Sequence, residues 1–342
     1  MIQPENLLII RTDRIGDVVL TLPAAGIIKK HYPKCRISFL VKEYTAPLLR
    51  GSRSIDNILV LPESNGKLNI FEAYKLLRKY QFDSVIIVYP TFQLAFLTFF
   101  AGIKERIGTG YRWYSFLFNE RVYEHRKYAE KHELEYNISL LNKLNIDENV
   151  SKSNISYELA INKESELKIE QILLDHIKDL SLPIMIVHPG SSGSSVDLPL
   201  NKMKELIITA QKLNINILLT GSKSEAGLCD HLASGTDAIN FAGMLHLEEL
   251  TALISKTSVL VANSTGPLHI ASALGKNVIG FYPRVKACSP ERWGPYTDKG
   301  IVFQPKIDCK DCTIEQCKRL NCMNSIDMND VFNEIKKIIK GK

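Results

Sequence analysis

The stretch Ser258-Val259-Leu260-Val261-Ala262-Asn263-Ser264-Thr265-Gly266-Pro267-Leu268-His269 reads as a buried strand that stops at a small-residue turn and passes directly into a helix. The run Ser258 to Ala262 is short and almost wholly apolar, as a strand covered on both faces requires. Pro267 suits the first helical turn, where no N–H donor is needed, and a hydroxyl from Ser264 or Thr265 is expected to cap the end. Such an end attracts anions. Backbone N–H groups and the positive end of the helix dipole favour a phosphate or diphosphate, and Gly266 lets it approach the backbone closely. An ordinary strand-to-helix turn has the same local pattern, so the surrounding chain decides between the two.

Outward from this stretch, apolar runs of strand length recur at Ile184 to Val187, Ile215 to Leu219, Ala238 to Phe241 and Asn277 to Phe281. In the first half they fall at Leu7 to Ile10, Arg36 to Val41, Ile58 to Leu61 and Val85 to Val88, with helical patterns such as Val18 to His31 and Leu68 to Tyr80 between them. Alternation of this kind means a parallel sheet covered by helices. The expected architecture is α/β: two Rossmann-like doubly wound domains, residues 1–165 and 180–325, with a linker near residues 160–182 and a C-terminal helix in 326–342. Ligands of such sheets bind at the carboxyl ends of the strands, so two facing halves are expected to make one central cleft.

Composition bounds the function. At 342 residues and 45% hydrophobic content the chain can fill two cores, and a net charge of +6 spread over many acids and bases does not imply nucleic acid. The N-terminus does not show the pattern of a signal peptide, so a cytoplasmic protein is expected. Val85 to Ile103, the longest apolar stretch, reads as a strand and a helix carrying Phe92, Phe96, Phe99 and Phe100; packing between domains or a peripheral contact with the inner membrane would use those rings. Seven cysteines argue against a disulfide framework. Of these, Cys309, Cys312, Cys317 and Cys322 cluster with only one C-x2-C pair, so reduced thiols are expected ahead of a structural metal.

The first strand-to-helix turn is Arg11-Thr12-Asp13-Arg14-Ile15-Gly16-Asp17. It lacks the three glycines of a dinucleotide fingerprint, which sets aside a nicotinamide or flavin oxidoreductase, and offers two carboxylates and two arginines instead. Between Lys104 and His132 basic residues including Arg112 and Arg126 are interleaved with Tyr111, Trp113, Tyr114, Phe116 and Tyr123. That segment is either a solvated face or a wall that grips an anionic, sugar-bearing acceptor through guanidinium groups and rings. In the second half, His188-Pro189-Gly190-Ser191-Ser192-Gly193-Ser194-Ser195 offers N–H and O–H donors to a phosphate. Thr220-Gly221-Ser222-Lys223-Ser224-Glu225 offers Glu225 to ribose hydroxyls, unless that residue is only a first-turn glutamate.

With these segments in order, the chain resembles glycosyltransferase family 9, the heptosyltransferases of lipopolysaccharide assembly, along nearly its full length. The likeness rests on Arg11 to Asp17 ahead of Val18 to Pro23, on His188-Pro189-Gly190, on Thr220-Gly221 with Glu225, and on Ser264-Thr265-Gly266 with His269. It implies a GT-B fold and inverting transfer of a heptose or related sugar from a nucleotide-sugar donor held by the C-terminal half, with ADP-heptose as the family default. No metal or other cofactor is implied as a requirement. The acceptor implied is a lipopolysaccharide core or another anionic cell-envelope glycolipid or oligosaccharide.

Residue by residue, the resemblance puts the catalytic base on Asp17, with Asp13 as the rival base or an acceptor contact beside Arg112 and Arg126. The donor contacts are Ser191, Ser192, Gly193 and Ser194 in the first loop, Glu225 at the ribose, Met244 near the nucleobase, and Ser264, Thr265, Gly266 and His269 at the diphosphate. Relatives often carry Asp at Ser264 and a Lys at the position of Val196, for which hydroxyls, loop N–H groups or Lys202 would substitute. These departures keep open a second reading, a non-catalytic sugar-nucleotide binder or assembly subunit that retains the fold.

Overall fold

A computed structural model of the chain describes residues 3–307 and 312–341. Two compact units emerge: Met1–Arg126 with Glu133–Ala160, and Lys127–His132 with Ile161–Lys342. In the first, β1 (Asn6–Ile10), β2 (Arg36–Val41), β3 (Asn57–Val60), β4 (Ser84–Ile87), β5 (Glu105–Thr109) and β6 (Glu120–Val122) form a parallel sheet in the order β3-β2-β1-β4-β5-β6. Every residue of β1 is buried, with Leu8 paired between Ser38 and Val85, which is why this strand reads as an unbroken apolar run. The helical pattern expected over Val18 to His31 is two helices, α1 (Ile15–Val19) and α2 (Pro23–His31). Pro23 has no N–H to continue the first helix and instead opens the second. Further along, α3 (Ile70–Tyr80) is capped by Asn69, α4 (Phe92–Phe100) by Thr91, and α5 (Glu133–Ser139) follows the sheet.

The second unit repeats the plan with β7 (Ile184–His188), β8 (Asn216–Leu219), β9 (Ile239–Asn240), β10 (Val259–Asn263), β11 (Asn277–Phe281) and β12 (Gly300–Phe303) in the order β9-β8-β7-β10-β11-β12. Both sheets reverse direction beside their first strand, between β1 and β4 and between β7 and β10. That is where doubly wound sheets open a crevice at the strands' carboxyl ends. Each unit is thus a Rossmann-like domain, and together they give the chain the GT-B architecture.

The span expected as linker holds α6 (Lys163–His176). Asn162 caps it by accepting from the Glu164 N–H at 2.8 Å, Ile169 and Leu173 are buried, and Lys256 reaches Glu166 and Glu170 at 2.7 and 2.9 Å. Buried apolar positions and tethered charges make it a packed part of the second unit. In the same unit α7 (Leu200–Ala210), α8 (Ala226–Ala233), α9 (Leu247–Lys256) and α10 (Gly266–Ala273) cover the sheet. The C-terminal helix Met328–Lys340 places Val331 and Ile335 in one core with Met203 and Ile207. Cys317 and Cys322 are buried in that core with Cys312 against it, while Cys309 lies outside the described residues. No described helix is long and apolar enough to cross a membrane.

Asn263, at the end of β10, is fully buried; its amide donates to the Pro189 carbonyl and accepts from the Leu198 N–H at 2.9 Å. Replacing Asn263 by Leu strands both backbone groups in the core, so chemical denaturation is expected to show a loss of about 2–4 kcal/mol. A loss within about 0.5 kcal/mol, the range of an indifferent surface change, would contradict that role.

Candidate active site

An ionic cluster assembles at the carboxyl end of β1, beginning at Arg11, the residue that follows the strand. Arg11 is 2% exposed, and its guanidinium donates through Nε to Asp13 Oδ1 at 2.8 Å and through Nη2 to Asp17 Oδ1. Its Nη1 lies 3.3 Å from Asn137 Oδ1 and 3.5 Å from Glu133 Oε1. Glu133, almost wholly buried on α5, also accepts from Arg126. Asn137 returns its amide to the Leu20 carbonyl at 3.1 Å and to Thr21 Oγ1 at 3.2 Å, locking α5 to the turn between α1 and α2. Two guanidiniums therefore face three carboxylates, an excess of one negative charge. Burial pushes Asp13 up to about 6, with the Asp17 charge adding and Arg11 opposing. Asp17 keeps a partly accessible side chain, 13% exposed, with Oδ1 bound by Arg11.

In the second unit three loops meet at the carboxyl ends of β7, β8 and β10. After β7, Ser192 and Gly193 are both left-handed, φ 49° and 75°, and close a tight turn in which the Ser194 N–H reaches the Ser191 carbonyl at 3.0 Å. The Ser194 hydroxyl then ties this loop to the third by donating to the Ser264 carbonyl at 3.0 Å. After β8, Thr220 Oγ1 lies 3.0 Å from His188 Nδ1. Glu225 forms a capping box, its Oε2 accepting from the Ser222 N–H at 2.8 Å and the Ser222 hydroxyl at 2.7 Å. A methyl group on Gly190 would sit 1.8 Å from Glu225 Oε1. The structural role foreseen for Glu225 is therefore present, and one carboxylate oxygen remains against the first loop. Met244 is 54% exposed in the turn after β9, where the Gly243 N–H donates to the Gly221 carbonyl at 2.9 Å.

The opening stretch departs from expectation at its cap. Thr265 occupies the position before α10 and Pro267 lies in its first turn, but neither the Thr265 nor the Ser264 hydroxyl caps the helix. Ser264 is buried at the strand end, its carbonyl engaged by Ser194. The N-terminal backbone of α10 is thus left without a side-chain cap. Val196 is a core residue packed with Met203 and Leu206, and Lys202 sits 3.7 Å from Glu205. Arg126 joins the Asp17 cluster through Glu133, whereas Arg112 is exposed on the aromatic segment after β5. Sequence reasoning assigned no role to Arg11, Glu133 or Asn137. Arg11 sat in the quoted turn beside Asp13 and Asp17, but its other partners, Glu133 and Asn137, lie more than a hundred residues away and leave no local signal.

Two buried histidines at these strand ends, His188 and His269, favour the neutral form. Burial lowers His188 to about 4 and His269 to about 3, with His132 adding to the effect on His269. His269 Nδ1 and Ser195 Oγ are buried with no partner among the described residues. In the unfolded chain both histidines take up a proton near 6.5. Their stabilising contribution is therefore complete above that pH and is lost as pH falls toward 4 and 3. Asp13 acts in the opposite sense, weakening the native state as pH rises from 3.8 to about 6. By scanning calorimetry, the wild-type melting temperature is expected to drop between pH 6.5 and 4, and the drop is expected to be smaller in His269→Gln. Equal drops in both proteins would contradict the buried neutral imidazole.

Known proteins share the sequence pattern and the fold of this chain. The profile described as glycosyltransferase family 9 (heptosyltransferase) matches residues 70–323. The lipopolysaccharide core heptosyltransferase OpsX of Haemophilus influenzae is 27% identical, covering 98% of this chain and 97% of its own. Two solved structures share the fold: a glycosyl transferase family 9 protein from Veillonella parvula, with a TM-score of 0.84, 16% identity and coverage of 99% of this chain and 98% of that one, and the ADP-heptose lps heptosyltransferase II of E. coli, with a TM-score of 0.77, 18% identity and coverage of 98% and 99%. The match spans well over half of the sequence, from α3 through the loops of the second unit, and the chain belongs to glycosyltransferase family 9, the heptosyltransferase family, and is a glycosyltransferase.

Proposed function

We propose that the chain transfers a heptose, or a related sugar, from ADP-heptose to a lipopolysaccharide core or similar anionic cell-envelope glycolipid at the cytoplasmic face of the inner membrane. The observation that carries the chemistry is the Arg11 clamp. A guanidinium holds Asp17 Oδ1 and so aims Oδ2. In an inverting displacement the acceptor hydroxyl loses its proton to a base as its oxygen forms the new bond to the anomeric carbon. The bond from that carbon to the diphosphate breaks, and the electron pair leaves with the nucleotide. Asp17 takes the proton in this reading. Asp13 and Arg126 touch the acceptor beside it, with Arg112 at the aromatic segment.

On the donor side, fixed dipoles take the place of charge. Thr265, Gly266 and the uncapped start of α10 receive the diphosphate, joined by Ser264, by Ser191 to Ser194 and by His269, whose neutral ring offers an N–H. Glu225 Oε1 accepts from the ribose, while Met244 covers the nucleobase. No step of this scheme calls on a metal or cofactor. The names of the Haemophilus and E. coli relatives support the choice of sugar, donor nucleotide and acceptor.

Turnover of ADP-heptose on a core acceptor by Asp17→Asn is expected to fall by about 10² to 10⁴, or roughly 2.7–5.4 kcal/mol of barrier. Calorimetric ADP affinity should stay within about twofold, because the donor groups belong to the other unit. Turnover close to wild type would remove Asp17 from the role of base.

A further inference from the structure

The outer face of α4 is apolar, although its inner face already supplies Leu94, Ala95 and Leu97 to the core. Phe92, Phe96, Phe99 and Phe100 stand exposed on it, and the loop after β5 adds Trp113, 73% exposed, and Phe116, 64% exposed. Five of these six rings form one continuous strip. Trp113 stacks on Phe92 at 4.9 Å between centroids, Phe92 meets Phe96 at 5.7 Å, Phe96 meets Phe100 at 4.2 Å, and Phe100 meets Phe99 at 5.6 Å. The Arg106 guanidinium lies 5.2 Å over Phe99 at the end of the strip. A contiguous exposed patch of this kind marks an interaction surface.

Its charge identifies the partner. Between residues 88 and 119 the ionisable carboxylates reduce to Glu105, which is buried against Ser84, whereas Lys104, Arg106 and Arg112 are all basic and at least partly exposed. A second copy docked on the same face would set these cations against their own counterparts, and residues 88–119 offer no exposed carboxylate to pair them. An anionic bilayer offers phosphates to the cations and an interfacial zone to tryptophan and phenylalanine.

We propose that α4 and the loop around Trp113 form a docking surface for an anionic phospholipid bilayer. The inference rests on the proposed glycolipid acceptor for the biological sense of a membrane partner, and it gives that peripheral contact a location: the unit that carries Asp17.

Four measurements on the full chain test it. Co-sedimentation is expected with vesicles of phosphatidylethanolamine and phosphatidylglycerol but not with phosphatidylcholine alone. Phe99→Ser with Phe100→Ser should weaken that binding at least about tenfold, and Lys104→Glu by roughly fivefold. In a Trp293→Phe background, brominated phosphatidylglycerol should quench and blue-shift Trp113 emission; this readout needs no change to the strip and so does not depend on how the serine variant folds. Absence of vesicle binding, or equal binding by the serine variant, would overturn the proposal. So would a concentration-dependent dimer that the serine variant dissolves in sedimentation velocity while vesicles are ignored. Transfer to a lipid-free core oligosaccharide should be unchanged by the serine variant. Vesicle binding with the predicted quenching, but no transfer to any core acceptor, upholds the surface and overturns the acceptor assignment instead.

Discussion

The buried guanidinium of Arg11 is the constraint on which the catalytic unit depends. A cation taken out of water at the end of β1 is costly unless its donors are met, and here they are met by Asp13, Asp17, Glu133 and the Asn137 amide. Those partners come from the first turn and from α5, so one side chain fixes the mutual position of segments that are distant in sequence. Only a planar fork with several fixed donors reaches all of them at once. The geometry that solves the burial problem also fixes one Asp17 carboxylate oxygen, and the proposed reaction uses the other.

The two units place groups of opposite electrostatic character at their strand ends, and the proposed reaction uses both. The first concentrates ionised groups with one negative charge left over. The second places neutral histidines, hydroxyls and helix-end N–H groups at its strand ends, joined by Asn263 and Ser194. Preorganised dipoles stabilise a departing diphosphate without the desolvation cost of a buried cation. A valine in the core at position 196 fits that design, since a charged side chain there would have to be buried.

Much of the fold was legible because strands covered on both faces must be apolar throughout. β1, β2, β4, β7, β8, β10 and β11 all announce themselves that way. The edge strands β6 and β12 do not, being only partly buried, and β5 was hidden by Glu105 and Arg106 at its start. Glu105 is nevertheless buried, with the Ser84 hydroxyl 3.3 Å away, a tertiary solution that no local pattern reveals. At the site, the residues of the short motifs could be read, because a turn and a helix start leave a signature. Arg11, Glu133 and Asn137 could not be assigned, because their importance lies in meeting one another across the fold. The hydroxyl cap expected at Ser264 or Thr265 failed for a related reason: Ser264 is buried at the strand end, and the Thr265 side chain is not used as a cap.

The central claim is that Arg11 makes Asp17 a base by positioning it. Single-turnover transfer by Arg11→Lys, on protein shown by calorimetry to be folded, tests this most directly, since lysine keeps the charge and loses the fork. The account predicts a transfer rate reduced by about 10-fold or more, with ADP affinity and donor KM unchanged. A wild-type rate in the folded variant, or a loss confined to donor binding, would contradict it.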